Sequence, residues 1–212
     1  MLRKTSLIDY PGIISAVVFF SGCNLRCPWC HNRELVLQTA DCISLEAALA
    51  QIEKRKSVLG GVVLSGGEPT LFPDLGELIS RIKSFGLKTK LDTNGFLPLA
   101  LEKIFETEET RPDYIAMDIK TAPERYGELL PGKVQTKNPG ESLIRSVSLV
   151  RASGIAHEFR SLELPPPPDK NIKPFFADND RAALALLVGN SLWTIRTFVP
   201  GNCIDPDWNN TE

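Results

Sequence analysis

Three cysteines fall within one eight-residue run, Cys23-Asn24-Leu25-Arg26-Cys27-Pro28-Trp29-Cys30. Thiolates delivered by one short loop can each bind a different iron of a cubane, which leaves the fourth iron without a protein ligand and open to a substrate. One alternative is a zinc knot with His31 as the fourth member of a Cys3His set. His31 directly follows Cys30, which makes simultaneous tetrahedral ligation awkward, and a closed knot leaves the carboxylates downstream unexplained. A redox pair of Cys27 and Cys30 is the other alternative. Cys42 and Cys203 share no such spacing and read as small buried hydrophobes. Five cysteines, an odd number with three clustered, suit a metal site in a reducing compartment better than a disulfide framework.

The elements that must position this loop alternate along the chain. Ser15-Ala16-Val17-Val18-Phe19-Phe20 is a continuous apolar run ending at Ser21-Gly22, the pattern of a strand buried on both faces. Ser44 reads as an N-cap for a helix with Leu45, Ala48, Leu49 and Ile52 on one face. Strand Val62 to Leu64 follows, then a helix with Leu75, Leu78, Ile79 and Ile82 at helical spacing and Gly86 to end it. The unit recurs in strand Lys88 to Leu91, a helix around Leu97 to Phe105, strand Tyr114 to Met117, a helix around Leu143 to Val150, strand Ile155 to Leu162, a helix near Asp178 to Val188 and strand Trp193 to Val199. Strands alternating with helices imply a parallel sheet with right-handed crossovers, and about six units are too few for an eight-stranded barrel. The expected fold is therefore α/β, an open partial (β/α)6 barrel, with a doubly wound sheet as the alternative. One domain over residues 1–212 is expected, its core at about 14–200.

In parallel α/β folds, ligands gather at the C-terminal strand ends. The first strand runs into the cysteines, the second into Ser65-Gly66-Gly67-Glu68-Pro69, the third into Asp92-Thr93-Asn94-Gly95 and the fourth into Asp118-Ile119-Lys120. Asp92 and Asp118, each ending a buried strand, carry a large desolvation cost unless they are partnered, which points both toward the opening. Pro11-Gly12 reads as a turn, and Asp9-Tyr10 before it as a pair that could face the opening. His157 reads as a polar surface or satisfied core residue. Pro165 to Pro168 can be neither helix interior nor central strand.

Composition narrows the function classes. A formal charge of −2 and a pI near 5.8 give no electrostatic footprint for nucleic acid. No apolar run approaches the roughly 20 residues that span a bilayer, and the order of a signal peptide is absent, so a cytoplasmic protein with no membrane partner is expected.

The CxxxCxxC spacing with Trp29 just before the last cysteine resembles the signature of the radical S-adenosylmethionine superfamily. Ser6-Leu7-Ile8-Asp9-Tyr10-Pro11-Gly12, Cys30-His31-Asn32, Asp92-Thr93-Asn94-Gly95-Phe96 and Met117-Asp118-Ile119-Lys120 resemble the glycyl-radical-enzyme activases. Among these, the activating proteins of anaerobic ribonucleoside-triphosphate reductases look closest. The likeness runs from about Leu7 to Lys120 and resumes at Glu158-Phe159-Arg160 and Pro200-Gly201-Asn202-Cys203.

The resemblance implies one 4Fe-4S cluster on Cys23, Cys27 and Cys30, its open iron chelated by the methionine moiety of S-adenosyl-L-methionine. Reductive cleavage would yield a 5′-deoxyadenosyl radical that takes a hydrogen from a glycine of a glycyl radical enzyme, with an electron donor such as flavodoxin or ferredoxin. Gly66, Gly67 and Glu68 would seat the methionine ammonium through backbone carbonyls and a carboxylate, the glycines permitting close approach. An ordinary strand-to-helix turn is the plainer reading of these residues. The resemblance further suggests that Asp92, Thr93 and Asp118 border methionine and ribose, with a monovalent cation alongside, while Lys120 neutralises a carboxylate that Arg160 also reaches. A local Asp118–Lys120 surface pair, and an Arg160 directed out of the barrel, are the alternatives. The activases continue after Arg160 through a short Pro-Gly turn, whereas this chain has Leu164-Pro165-Pro166-Pro167-Pro168-Asp169-Lys170, a departure that falls at the mouth where a partner's glycine loop would enter. The cluster loop also fits a small-molecule radical enzyme such as a 7-carboxy-7-deazaguanine synthase, or a metal-binding or electron-transfer module without turnover.

Overall fold

The computed structural model describes residues 1–132 and 138–210; of the expected span 1–212, residues 133–137 and 211–212 lie outside it. Six strands run parallel and pair in chain order: β2 (Ser15–Phe20), β3 (Gly61–Gly66), β4 (Lys88–Thr93), β5 (Tyr114–Asp118), β6 (Ala156–Glu163) and β7 (Leu192–Thr197). Sequential order combined with right-handed crossovers places every connecting helix on one face, and the sheet curls around the other. That removes the doubly wound alternative, whose strand order reverses at a switch point. The architecture is the partial barrel expected from the alternation.

A seventh strand, β1 (Leu2–Ser6), was not foreseen; it pairs antiparallel with β2 at the sheet edge. Its central Arg3, Lys4 and Thr5 are exposed, charged and polar residues that keep an edge strand from pairing further. The chain then turns so that Asp9 and Tyr10 lie at the N-terminal ends of the parallel strands, away from the opening. Tyr10 is buried there and donates to the Thr89 carbonyl, while Asp9 takes Ser6 and Arg3.

Between β2 and β3 lie α1 (Arg33–Val36) and α2 (Leu45–Glu53); α3 (Leu75–Ser84), α4 (Pro98–Phe105), α5 (Pro139–Ala152) and α6 (Asp178–Val188) complete the outer layer. The expected N-cap is present, with the Ala47 N–H donating to Ser44 Oγ at 3.2 Å. Leu75, Leu78, Ile79 and Ile82 form the buried stripe of α3, each contributing about 1.5–3 kcal/mol as it leaves water. On the sheet, Val62, Leu64, Leu91, Ile115 and Phe159 face this layer.

The inner face is sparser and more polar. Val17, Val63, Lys90 and Tyr114 are in register on successive strands. Val17, Val63 and Tyr10 form a small apolar floor, with Tyr114 packed on it. One layer nearer the opening, at i+2 on β4 and thus on the same face, stands Asp92. The floor shuts the barrel below, so chemistry is confined to the C-terminal mouth.

Candidate active site

The loop leaving β2 bends back on itself at Cys27–Cys30, where the Cys30 N–H donates to the Cys27 carbonyl at 3.0 Å. Cys27 is buried, and Cys23 and Cys30 are half-buried. All three border one cleft, together with Gly66, Gly67, Asp92, Thr93, Asp118, Lys120 and Arg160. Residues expected from four strand ends and the fifth strand thus meet at a single opening. Two N–H groups address the Cys23 sulfur, Leu25 N at 3.4 Å and Asn94 Nδ2 at 3.7 Å, the arrangement that favours a sulfur carrying negative charge. Burial pushes the Cys27 thiol up to about 12, and Lys120 only partly opposes it; burial raises Cys23 as well.

The Gly-Gly pair joins this loop to β3. A Cβ on Gly67 would lie 1.9 Å from the Gly22 carbonyl oxygen, and Gly66 holds φ at 114°, so both positions need glycine for backbone-to-backbone approach. Glu68 N donates to that same Gly22 carbonyl, and Asn32 Nδ2 to the Gly66 carbonyl at 2.8 Å.

Glu68 differs from expectation. Its side chain is buried and does not border the cleft. Oε1 accepts from Thr70 N, Thr70 Oγ1 and Thr93 Oγ1, and Oε2 accepts from Asn94 N at 2.7 Å. The carboxylate knits the β3 turn to the end of β4 instead of pointing at a ligand. Burial raises its pKa, against the pull of these donors.

The charged residues form one continuous group. Asp118 accepts from Lys120 Nζ and Arg160 Nε, both at 2.7 Å. Asp92 accepts from Ser65 Oγ at 3.0 Å and from Lys90 Nζ, and Arg160 reaches it at 3.6 Å. Burial disfavours the Asp118 charge, but Arg160 and Lys120 outweigh it and hold the carboxyl well below the usual range. Burial likewise works against the Arg160 and Lys120 cations, and Asp118 more than restores both. Glu158, two residues before Arg160 on the same face of β6, adds a third carboxylate to this group, so its three cations and three carboxylates balance. Arg160 points into the barrel, and the Asp118–Lys120 pair borders the cleft.

Lys90, Asn32, Asn94 and Ser65 were missed as site residues. A lysine in mid-strand reads as exposed, yet Lys90 is only 2% exposed; its i+2 spacing to Asp92 was the available signal. His157 is a satisfied residue, its ring nitrogens bonded to the Ile155 carbonyl and Ser191 Oγ. Cys203 is buried as expected, but Cys42 is exposed.

The sequence pattern of the Radical SAM superfamily matches residues 17–175. The chain belongs to the radical SAM superfamily. A Methanocaldococcus jannaschii protein provisionally named a glycyl-radical enzyme activating enzyme is 29% identical over 96% of this chain and 80% of its own length. The pyruvate formate-lyase-activating enzyme of Clostridium pasteurianum is 32% identical over 62% of this chain and 56% of its own. A 7-carboxy-7-deazaguanine synthase of Hyperthermus butylicus is 37% identical over 42% of this chain and 38% of its own. This radical SAM chain thus spans about half the length of the last two or less. In fold it matches Streptococcus suis SuiB bound to S-adenosylmethionine, with a TM-score of 0.61, 15% identity, and coverage of 87% of this chain and 40% of that one.

A 4Fe-4S cluster and S-adenosyl-L-methionine are the cofactors of a radical SAM enzyme, and the donor set fits them. Among the described residues, no three His, Cys, Asp or Glu converge closely enough to hold a single metal ion, whereas a cubane takes each thiolate on a different iron and needs a wider spread. His31 is exposed at the same cleft as the cysteines, its ring 5.5 Å from that of Phe198. Among the described residues, no helix is long and apolar enough to cross a membrane.

Proposed function

We propose that residues 1–212 act as one radical SAM domain in which Cys23, Cys27 and Cys30 hold the 4Fe-4S cluster, and that the enzyme generates a glycyl radical on a partner protein. Held by these thiolates, a 4Fe-4S cluster would supply the single electron for reductive cleavage of S-adenosylmethionine at its sulfur–ribose bond, with methionine as the leaving group. The 5′-deoxyadenosyl group released in this way would take a hydrogen atom from a glycine Cα of the partner, giving 5′-deoxyadenosine and leaving the radical on that glycine. The observation that carries this reading is the single cleft onto which all three thiols and the Asp92–Asp118–Arg160 group open.

The chain's own residues bind and orient. Gly66 and Gly67 present backbone to the methionine ammonium; the Gly66 carbonyl, which already takes Asn32, keeps a second lone pair for it. Glu68 fixes that backbone from behind. Lys120 and Arg160, whose positive charges Asp118 stabilises, retain N–H groups for the methionine carboxylate. Asp92, Thr93 and Asp118 border the position of the ribose. Both carboxylates are occupied by cations of the chain itself, so no role here depends on a monovalent cation.

Anaerobic ribonucleoside-triphosphate reductase is the proposed partner, and flavodoxin or ferredoxin the electron donor. The Asp-Tyr-Pro-Gly and Cys-His-Asn words and the likeness to the Methanocaldococcus protein over most of the chain support an activase. Anaerobically reconstituted, dithionite-reduced protein is expected to release 5′-deoxyadenosine from S-adenosylmethionine, and Cys27→Ala to release none. With a reductase partner, a glycyl radical doublet should appear in the electron paramagnetic resonance spectrum. Reductase without a signal, but pyruvate formate-lyase with one, would reassign the partner. The likeness to the deazaguanine synthase supports a second reading, a small-molecule substrate; a magnesium-dependent product formed from an added small molecule with no protein partner would establish it.

A further inference from the structure

We propose that the segment Cys203–Trp208 is a clamp on the cysteine loop, and that Trp208 and the Ile204 and Asp205 N–H groups are positioning elements of the cluster site. The inference rests on the reading that Cys23, Cys27 and Cys30 hold the cluster. None of residues 203–208 borders the cleft, so the segment acts from behind the loop.

Among the described residues, the turn that carries Cys27 and Cys30 is held to the rest of the molecule by three main-chain hydrogen bonds. Arg26 N donates to the Leu129 carbonyl at 2.7 Å on one side. On the other, Ile204 N donates to the Cys30 carbonyl at 3.1 Å and Asp205 N to the Pro28 carbonyl at 3.0 Å. Two of these three anchors therefore come from residues some 175 positions downstream, and one lands on Cys30 itself.

Side chains reinforce the backbone bonds. Trp208 is 2% exposed and Trp29, between Pro28 and Cys30, is 3% exposed. Their rings lie 5.4 Å apart; Phe175 lies 4.7 Å from Trp29, and Phe198 meets Trp208 edge-on at 5.9 Å. The Trp29 beside the last cysteine is thus one wall of an aromatic knot whose far wall is Trp208. The clamp is also locked internally, since Cys203 N donates to Asn209 Oδ1 at 2.8 Å and Trp208 N to the Asp205 carbonyl at 3.2 Å. A loop tied this way presents its thiols in one arrangement before iron arrives, and resists the local opening through which iron is lost.

The test uses the full chain in a Cys42→Ser background, which removes the exposed thiol. Labelling of Cys27 and Cys30 by Ellman's reagent is followed in the apo-protein by peptide mapping, and iron release to bathophenanthroline disulfonate in the reconstituted protein. Trp208→Ala is expected to speed both by about tenfold or more, and Trp208→Phe to stay within about twofold of the parent, because the ring contacts that oppose opening are kept. Ile204→Pro, which deletes one N–H and leaves the knot intact, should speed both several-fold. A cooperative thermal transition in each variant confirms that the fold persists. Parent rates in both Trp208→Ala and Ile204→Pro would overturn the clamp. A parent protein that takes up no iron overturns the cluster reading instead, and the thiol rates of the apo-protein then decide the clamp alone.

Discussion

Glu68 shows how a residue can be found by its motif and still have its direction misjudged. Gly-Gly-acid after a strand is legible as a ligand-facing turn, and Gly66 and Gly67 do border the cleft. What sequence could not give is where the carboxylate points, because its partners Thr93 and Asn94 lie on another strand end. With Thr70 they supply four donors to two oxygens. Glu68→Gln replaces one acceptor oxygen with an NH2 that faces a donor, and is expected to cost about 2–3 kcal/mol in urea unfolding, since a buried donor left unpaired costs its full desolvation. If stability is unchanged while the KM for S-adenosylmethionine rises, the carboxylate belongs to the ammonium after all. The cysteines were legible for the opposite reason: their geometry is local, three residues on one loop.

At the scale of elements, the alternation fixed the six parallel strands and their helices because each apolar stripe has its own period. The helix over Leu45–Glu53 was legible even at its start. Ser44 has extended backbone, and its hydroxyl accepts from Ala47 N, whereas Asp74 before α3 and Asn138 before α5 make no such bond. Ser44→Ala should therefore lower stability by about 1 kcal/mol, seen as a reduced denaturation midpoint with unchanged slope; a null effect would mean that packing of Ala48, Leu49 and Ile52 alone holds the helix. β1 escaped notice since Arg3-Lys4-Thr5 carries no apolar alternation to detect. The long segment after β6 escaped for another reason. Thr121 Oγ1 donates to the Phe175 carbonyl, and Arg125 donates to the Lys173 and Pro174 carbonyls. These tethers cross about fifty residues and bring Phe175 against Trp29, so a stretch that reads as irregular becomes part of the wall behind the cysteine loop.

For the whole molecule, the charged group at the mouth adds side-chain links between β4, β5 and β6 to the backbone pairing that already runs through Asp92, Asp118 and Arg160. Asp92 and Lys90 come from β4, Asp118 from β5 and Arg160 from β6. Breaking such a group from one side costs more than the pairs contribute, because the remaining charges keep their desolvation. Its pH dependence follows from Asp118, whose folded pKa is depressed. Below about pH 4 the unfolded chain binds a proton that the folded chain refuses. Stability from this residue is thus fully present above that pH and falls as pH drops toward the lower folded value. At neutral pH it is constant, so Lys120 and Arg160 stay paired and charged throughout the range in which the enzyme would work. Asp118→Asn removes the proton linkage. The variant should start from a lower melting temperature at pH 7 yet lose less of it between pH 5 and pH 3, the difference amounting to about 1–2 kcal/mol. Thermal unfolding across that range measures it directly. Parallel curves for parent and variant would mean that Arg160 and Lys120 hold Asp118 no more strongly in the folded chain than water does, and that the mouth of the barrel is kept together by Asp92 and Lys90.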